Sequence, residues 1–170
     1  NTSNQAQTVT YTVTPSSGNT NVCSGNTFTV TVLVNPTVQV NDIANQTLCR
    51  DASTTAITFA TLNTGGTTTY SWTNNNTNIG LAASSSGDAT GIPSFTATNT
   101  STQVITATIT VTPTFTNGLI SCTGPAKTFT ITVNPKGQVN DIANQTLCRD
   151  ASTTAITFAT LNTGGTTTYS

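Results

Sequence analysis

The residues of this chain best equipped for covalent chemistry are its four cysteines, Cys23, Cys49, Cys122 and Cys148. In a chain that works outside the cytosol, an even set of cysteines reads as a disulfide framework. Zinc is the weaker alternative, because two widely spaced cysteines per repeating unit and no histidine leave a tetrahedral site unfilled. Other chemistry is scarce. General acid–base catalysis draws mostly on His, Glu, Asp, Lys, Tyr or Cys, and here His and Glu are absent and the acids are five Asp. No nucleophile has a base to activate it, so no catalytic residue is assigned and the chain reads as a non-enzyme. Asp42, Asp51 and Asp88 carry oxygens suited to calcium, yet they lie far apart and no DxDxDG-like loop joins them. Asp51 reads instead as a turn residue or a partner for Arg50, and no metal or cofactor is expected. Lys127 or Lys136 with an Asn could form an isopeptide cross-link, but such bonds call on a buried acid and the chain has no Glu.

What must position these residues is a repeat. Residues 39–71, QVNDIANQTLCRDASTTAITFATLNTGGTTTYS, recur without a change as residues 138–170, an offset of 99. That period is the size of one small β-sandwich, beyond the roughly 20–50 residues of most solenoid units. Segment 1–36 reads as a back half, since NTS, a TxT run, VTP and a Cys recur in that order between positions 99 and 122. The chain therefore divides into the C-terminal half of one module at 1–36, a complete module at 37–135, and the N-terminal half of the next at 136–170. The cysteines reduce to two per module, one in an LCRDAS turn before the second strand and one in an SCTG turn before the last.

Composition closes off several functions. Only 5% of the residues are charged, the net charge is −1, and about a quarter of the chain is Thr. Four basic residues cannot form the patch that grips nucleic acid or anionic lipid. The apolar runs are short and no apolar h-region opens the sequence, so neither a signal peptide nor a membrane span is expected within these residues. Low charge would fit disorder, but the apolar residues are β-branched or aromatic and alternate, as a folded strand requires.

The alternation has period two throughout. In residues 104–112, VITATITVT, Ile105, Ala107, Ile109 and Val111 share one face and four Thr the other. Phe129, Ile131 and Val133 alternate with Thr in the same way, as do Val9, Tyr11 and Val13. Further strands are expected near 38–43, 56–62, 67–73 and 94–99, with a weak one near 79–83. Breakers separate them: NTGG at 63–66, NNNTN at 74–78, SSSGD at 84–88 and NG at 117–118. Seven short strands in one period, with no helical pattern, predict an all-β chain of tandem immunoglobulin-like β-sandwich modules. The expected core is Phe59, Tyr70, Trp72, Phe95, Ile105, Ile109, Phe129 and Ile131, with Phe115 left in a turn. In such a topology the turns that hold Cys49 and Cys122 lie at opposite ends of the module. A strand of about eight residues spans roughly 27 Å, whereas a disulfide needs Cα atoms within about 7 Å. Strand direction thus favours a bond from Cys49 to the next module's counterpart of Cys122, while a Cys49–Cys122 bond inside one module stays open. Pro36 and Pro135 end the last strand of each unit and hold its exit extended.

The runs YSWTNNN, IPSFTATNTSTQVITATITVTPT, SCTGPAKTFTITVNP and NQTLCRDASTTAITF together resemble the PKD-like, immunoglobulin-type repeats of giant cell-surface proteins of Flavobacterium-type bacteria (Bacteroidota). The resemblance covers the whole chain, although Trp72 is followed by TNNNTN where better-known PKD domains carry WxFGDG. It implies a cell-surface, extracellular stalk or filament repeat of an adhesin, including gliding adhesins, with type IX export. The expected partners are neighbouring modules of the same polypeptide, with other filament chains or surface glycans beside them. The alternative is a carbohydrate-binding accessory module of a secreted hydrolase. The Thr rows could bind ice or sugar, although high β-propensity explains them more simply. Sequons stand at Asn45, Asn75, Asn99 and Asn144.

Overall fold

The computed structural model describes residues 1–85 and 91–170. Most of the turn expected at 84–88, and Asp88 with it, lies outside the described residues. In chain order the strands are β1 (Gln7–Val13), β2 (Ser16–Ser17), β3 (Cys23–Ser24), β4 (Phe28–Val34), β5 (Gln46–Cys49) and β6 (Ile57–Thr58). They continue with β7 (Thr67–Asn74), β8 (Ser84–Ser85), β9 (Gly91–Ile92), β10 (Ile105–Asn117), β11 (Ile120–Thr123) and β12 (Lys127–Asn134). Among the described residues the only helical element is a 3-10 turn at Thr77–Ile79.

The chain is an all-β sandwich. Its main sheet has the order β5-β12-β10-β7-β8, with β11 also paired to β10. All these pairings are antiparallel except β5 on β12, which is parallel. The facing layer is slight: β6 pairs with β9, and Ser53 bridges Thr96. Between the layers lie Phe59, Tyr70, Trp72, Ile79, Ala107, Ile109, Val111, Phe129, Ile131 and Val133, all buried, with Phe95 and Ile105 half-buried against them. Phe59 and Tyr70 meet with ring centroids 5.4 Å apart.

The longest strand, β10, follows from uninterrupted alternation, and its even-numbered Thr face outward. It runs through Pro113, a residue that normally breaks a ladder. Here the β12 pairing ends at Val111 and the β11 pairing begins at Thr114. Pro113 accepts from Gly124 N–H on that side at 2.9 Å, so its missing donor faces the gap between two ladders and no sheet bond is lost. Because β10 continues to Asn117, Phe115 is a strand residue and fully buried, which corrects its expected place in a turn. Gly66 packs on its ring: a Cβ there would stand 2.5 Å from the Phe115 Cζ.

Other expected strands shift. No strand forms at 38–43, although Val38 and Val40 are buried; the pairing falls on β5 instead, so Cys49 ends a strand rather than lying in the turn. Likewise Cys122 lies inside β11, the return arm of a hairpin, and not in a turn. The segment 79–83 opens with the 3-10 turn in place of a strand, and 56–62 and 94–99 shrink to the short pairings of the second layer.

Residues 1–34 form the β1–β4 hairpin with β2–β3 at its tip. Its apolar face, Val9, Tyr11, Val13, Phe28, Val30 and Val32, is exposed. In residues 136–170 the apolar positions Ile156, Phe158 and Tyr169 are likewise exposed, whereas their counterparts 99 positions earlier are buried.

Candidate functional site

The contacts between one segment and the next lie at the two ends of the sandwich. At the first junction the Thr64 N–H donates to the Asn4 carbonyl at 2.9 Å, and Gln5 bridges Thr64 in parallel. At the second junction the Thr163 N–H donates to the Thr102 carbonyl, again at 2.9 Å, and Gln103 bridges Thr163 in parallel. The same LNTGG turn therefore docks on the same NTSxQ loop twice in one chain.

Both partners of that contact are shaped locally. In the LNTGG turn the Asn63 side chain donates to the Thr37 carbonyl at 2.9 Å and accepts from the Gln39 N–H and the Thr61 hydroxyl. In the loop, Asn99 is fully buried and uses its whole amide. Its Nδ2 donates to the carbonyls of Gln103 at 2.7 Å and Val133 at 2.9 Å, and its Oδ1 accepts from the N–H and hydroxyl of Ser101. Asn1 makes the matching set with Gln5, Val34 and Ser3. With its nitrogen donating twice inside the protein, Asn99 is closed to glycosylation in the folded state. Asn45 and Asn75 are pins of a similar kind, accepting from the Thr130 and Thr108 N–H groups at 2.7 Å each. As sequons these asparagines carry no sign of such clasps, but the NTS of Asn99 recurs at Asn1 and the NQT of Asn45 at Asn144, and that recurrence is the signal.

The β10–β11 hairpin completes the first junction. Asn117 donates to Asn35 Oδ1 at 3.2 Å, and Asn35 Nδ2 lies 3.7 Å from the Cys122 sulfur. Gly124 tucks under Val38, where a Cβ would be 2.4 Å from the Val38 carbonyl oxygen. At the second junction the counterparts of these surfaces, Asn134, Pro135, Asn162 and Gly165, line a cavity of about 350 Å³ with Val104 and Gly137.

All four cysteines are free thiols, with Cys122 half-buried and the others exposed. Cys49 pairs with Asn134 in the β5–β12 register, and Cys122 with Phe115 in the hairpin. Asn134 lies one residue past the Val133–Ile105 pair, level with Val104, so eleven residues along the β10 line, from Val104 to Phe115, separate those levels, roughly 36 Å at about 3.3 Å each.

The charged side chains do not gather. Lys127 bonds Asp42 across the sandwich edge, and this exposed pair holds the Asp42 carboxyl below the usual range, first through the hydrogen bond and then through the charge. Arg50 lies 3.5 Å from Asp51, whose φ of 69° gives the left-handed turn after β5. Arg149 and Asp150 repeat this at 3.7 Å and 66°. Among the described residues no three His, Cys, Asp or Glu side chains come together as a metal site would need. Burial raises the Tyr70 hydroxyl above its ordinary range. With Phe59, Tyr70, Trp72, Phe115 and Phe129 all buried, none of these aromatics offers a platform for a sugar.

A model of the PKD-like domain family matches residues 1–38. No curated protein matches the chain. The family match points to an extracellular type of β module, a kind that is typically non-catalytic. No helix among the described residues is long and apolar enough to cross a membrane.

Proposed function

We propose that the chain is a stretch of structural, non-enzymatic repeats from a long extracellular adhesin of the kind carried by Flavobacterium-type bacteria, a stalk that holds a binding tip away from the cell. The observation that carries this reading is the junction itself. Two LNTGG turns of identical sequence dock on two NTSxQ loops through the same 2.9 Å hydrogen bond and the same parallel bridge. A contact that recurs in this way supports an array in which each module sits on the last alike, so that length grows in equal steps. The proline of each VNP sequence keeps the connection extended and the linker short. Export to the surface follows from the same reading, and neighbouring modules are the principal partners.

The test is a series of chains with one, two and four copies of the 99-residue unit, compared by small-angle scattering in reducing buffer. The expected outcome is a maximum dimension that rises linearly, by about 40 Å per unit, the length of a 13-residue strand such as β10 at about 3.3 Å per residue. Growth as the square root of copy number would describe a flexible string and would sink the proposal.

A further inference from the structure

We propose that successive modules are joined covalently by a disulfide between the cysteine that ends β5 in one module and the β10–β11 hairpin cysteine of the next. Cys49 is a cysteine of the first kind and Cys122 of the second. The inference rests on the tandem reading above and adds a chemical bond to it.

Three observations converge on this pairing. First, the two cysteines of one module face opposite junctions. Cys49 lies at the Asn134 end of the sheet and Cys122 at the hairpin end, roughly 36 Å apart by strand rise, when a disulfide needs Cα atoms within about 7 Å. Second, both cysteines sit against the same landmark, the asparagine of VNP. The Cys122 sulfur lies 3.7 Å from the amide of Asn35, which ends the preceding segment. Cys49 is the register partner of Asn134, the counterpart of Asn35, and the Arg50 N–H donates to the Asn134 carbonyl at 3.0 Å. Neighbouring strands lie about 4.8 Å apart, so superposing the two junctions on this asparagine sets both thiols beside one residue. Third, the second junction carries the seat for a hairpin. Asn134, Pro135, Asn162 and Gly165 line its cavity, and their counterparts Asn35 and Gly66 are the residues that meet Asn117, Cys122 and Phe115 at the first. A hairpin of this sequence seated there brings its cysteine to Cys49.

The chemistry balances as an exchange. The Cys49 thiolate attacks a small-molecule or oxidoreductase disulfide, forming a mixed disulfide and releasing one thiolate. The hairpin thiolate then displaces the second, so that the two cysteines are oxidised by two electrons and the exchange partner is reduced to a dithiol pair. The exposure of Cys49 leaves it open to the first step.

The experiment continues the full 170-residue chain with its own residues 72–135, so that 39–135 occurs twice in tandem. The chain is equilibrated in a glutathione redox buffer, alkylated and mapped as unreduced peptides. The expected result is one cross-link, from Cys49 to the second copy's counterpart of Cys122, lost in Cys49→Ser while Trp72 emission still reports the fold. In the 170-residue chain under the same treatment, Cys49 and Cys122 stay unlinked to each other. A Cys49–Cys122 bond within one copy, or free thiols at both predicted positions of the folded tandem chain, overturns the proposal. Linear growth in reducing buffer would leave the stalk reading intact in either case, so the two fail separately.

Discussion

Replacing Asn99 by Asp should cost the sandwich about 2–4 kcal/mol although it removes no volume. The figure follows from what the amide does. Asn99 is fully buried and its nitrogen donates to the Val133 and Gln103 carbonyls. Val133 is itself fully buried on β12, so its carbonyl has no water to turn to, while Gln103 and Ser101 are exposed and can be resolvated. One buried acceptor left without a donor costs about 1–3 kcal/mol. A carboxylate brought to the same place adds repulsion from that carbonyl, which lifts the estimate toward the upper end of about 2–4 kcal/mol. For a module of this size that is a fall in Tm of roughly 10–20 °C. Urea unfolding followed by Trp72, the single tryptophan, reads the core of the sandwich directly. Asn75→Ala is the matched control: its Oδ1 takes one N–H, from Thr108, at 2.7 Å on an exposed edge, and its loss should cost less than about 1 kcal/mol. If Asn99→Asp unfolds within about 0.5 kcal/mol of the parent, or if Asn75→Ala costs as much, the assignment of Asn99 as the buried clasp of the loop is wrong.

The identical copies allow paired tests of context. Phe59→Ala should lose about 3–5 kcal/mol as a core truncation, while Phe158→Ala, the same residue at 54% exposure against 4%, should leave the Trp72 transition unmoved. Gly66→Ala, driven against the Phe115 ring and the Thr116 carbonyl, should cost about 1–3 kcal/mol, and Gly165→Ala, with nothing within 4 Å, should be neutral. Folding keeps the Tyr70 hydroxyl protonated beyond its ordinary range, so the folded state holds more protons than the unfolded one above about pH 10. Stability should therefore fall as pH rises from there, and denaturant midpoints measured from pH 8 to 11 should show the decline flatten in Tyr70→Phe.

The strands that sequence reveals are those whose own pattern carries the information. β7, β10 and β12 alternate apolar and polar residues for most of their length, and one buried face sets their register. β5 has no such pattern. Gln46, Thr47, Leu48 and Cys49 become a strand because β12 is there to pair with, and the proof is in the chain: residues 145–148 have the same four side chains and form no strand. Apart from the Thr163 contact with the Thr102–Gln103 loop, what survives in that second copy is local. The left-handed Asp150 matches Asp51, Gln145 bonds Thr154 as Gln46 bonds Thr55, and Asn140 clasps Ala159 as Asn41 clasps Ala60. Turns and side-chain clasps are thus written in neighbouring residues, while edge pairing and burial are written in a partner far along the chain. The cysteines belong to the second kind, since LCRD and SCTG say nothing of which module faces them. Phe115 is hidden from the sequence for a similar reason: Pro113 reads as a strand end, and only the two ladders that stop at Val111 and start at Thr114 leave a gap for it.

That division of labour bears on how a nearly uncharged chain with a recurring sequence guards its sheet edges. Charge repulsion is unavailable at 5% charged residues, so an exposed β-edge would invite pairing with the same edge of another chain. The main sheet ends in β5, four residues long, on one side and β8, two residues long, on the other. Each covers only part of its neighbour, Trp72–Thr73 of β7 and Ile131–Asn134 of β12, so the rest of those two strands must be guarded otherwise. Beyond β5, Asn45 caps the next open position by taking the Thr130 N–H, and Asn75 does the same for Thr108 N–H past the end of β7. Asparagine here performs the blunting that lysine provides on a charged sandwich, with no cost in net charge. Removing either clasp opens one more rung of the ladder, so Asn45→Ala and Asn75→Ala should change the monomer's stability little, yet each should speed association at high concentration. Equal association rates in parent and variants by light scattering would contradict this account of the edges.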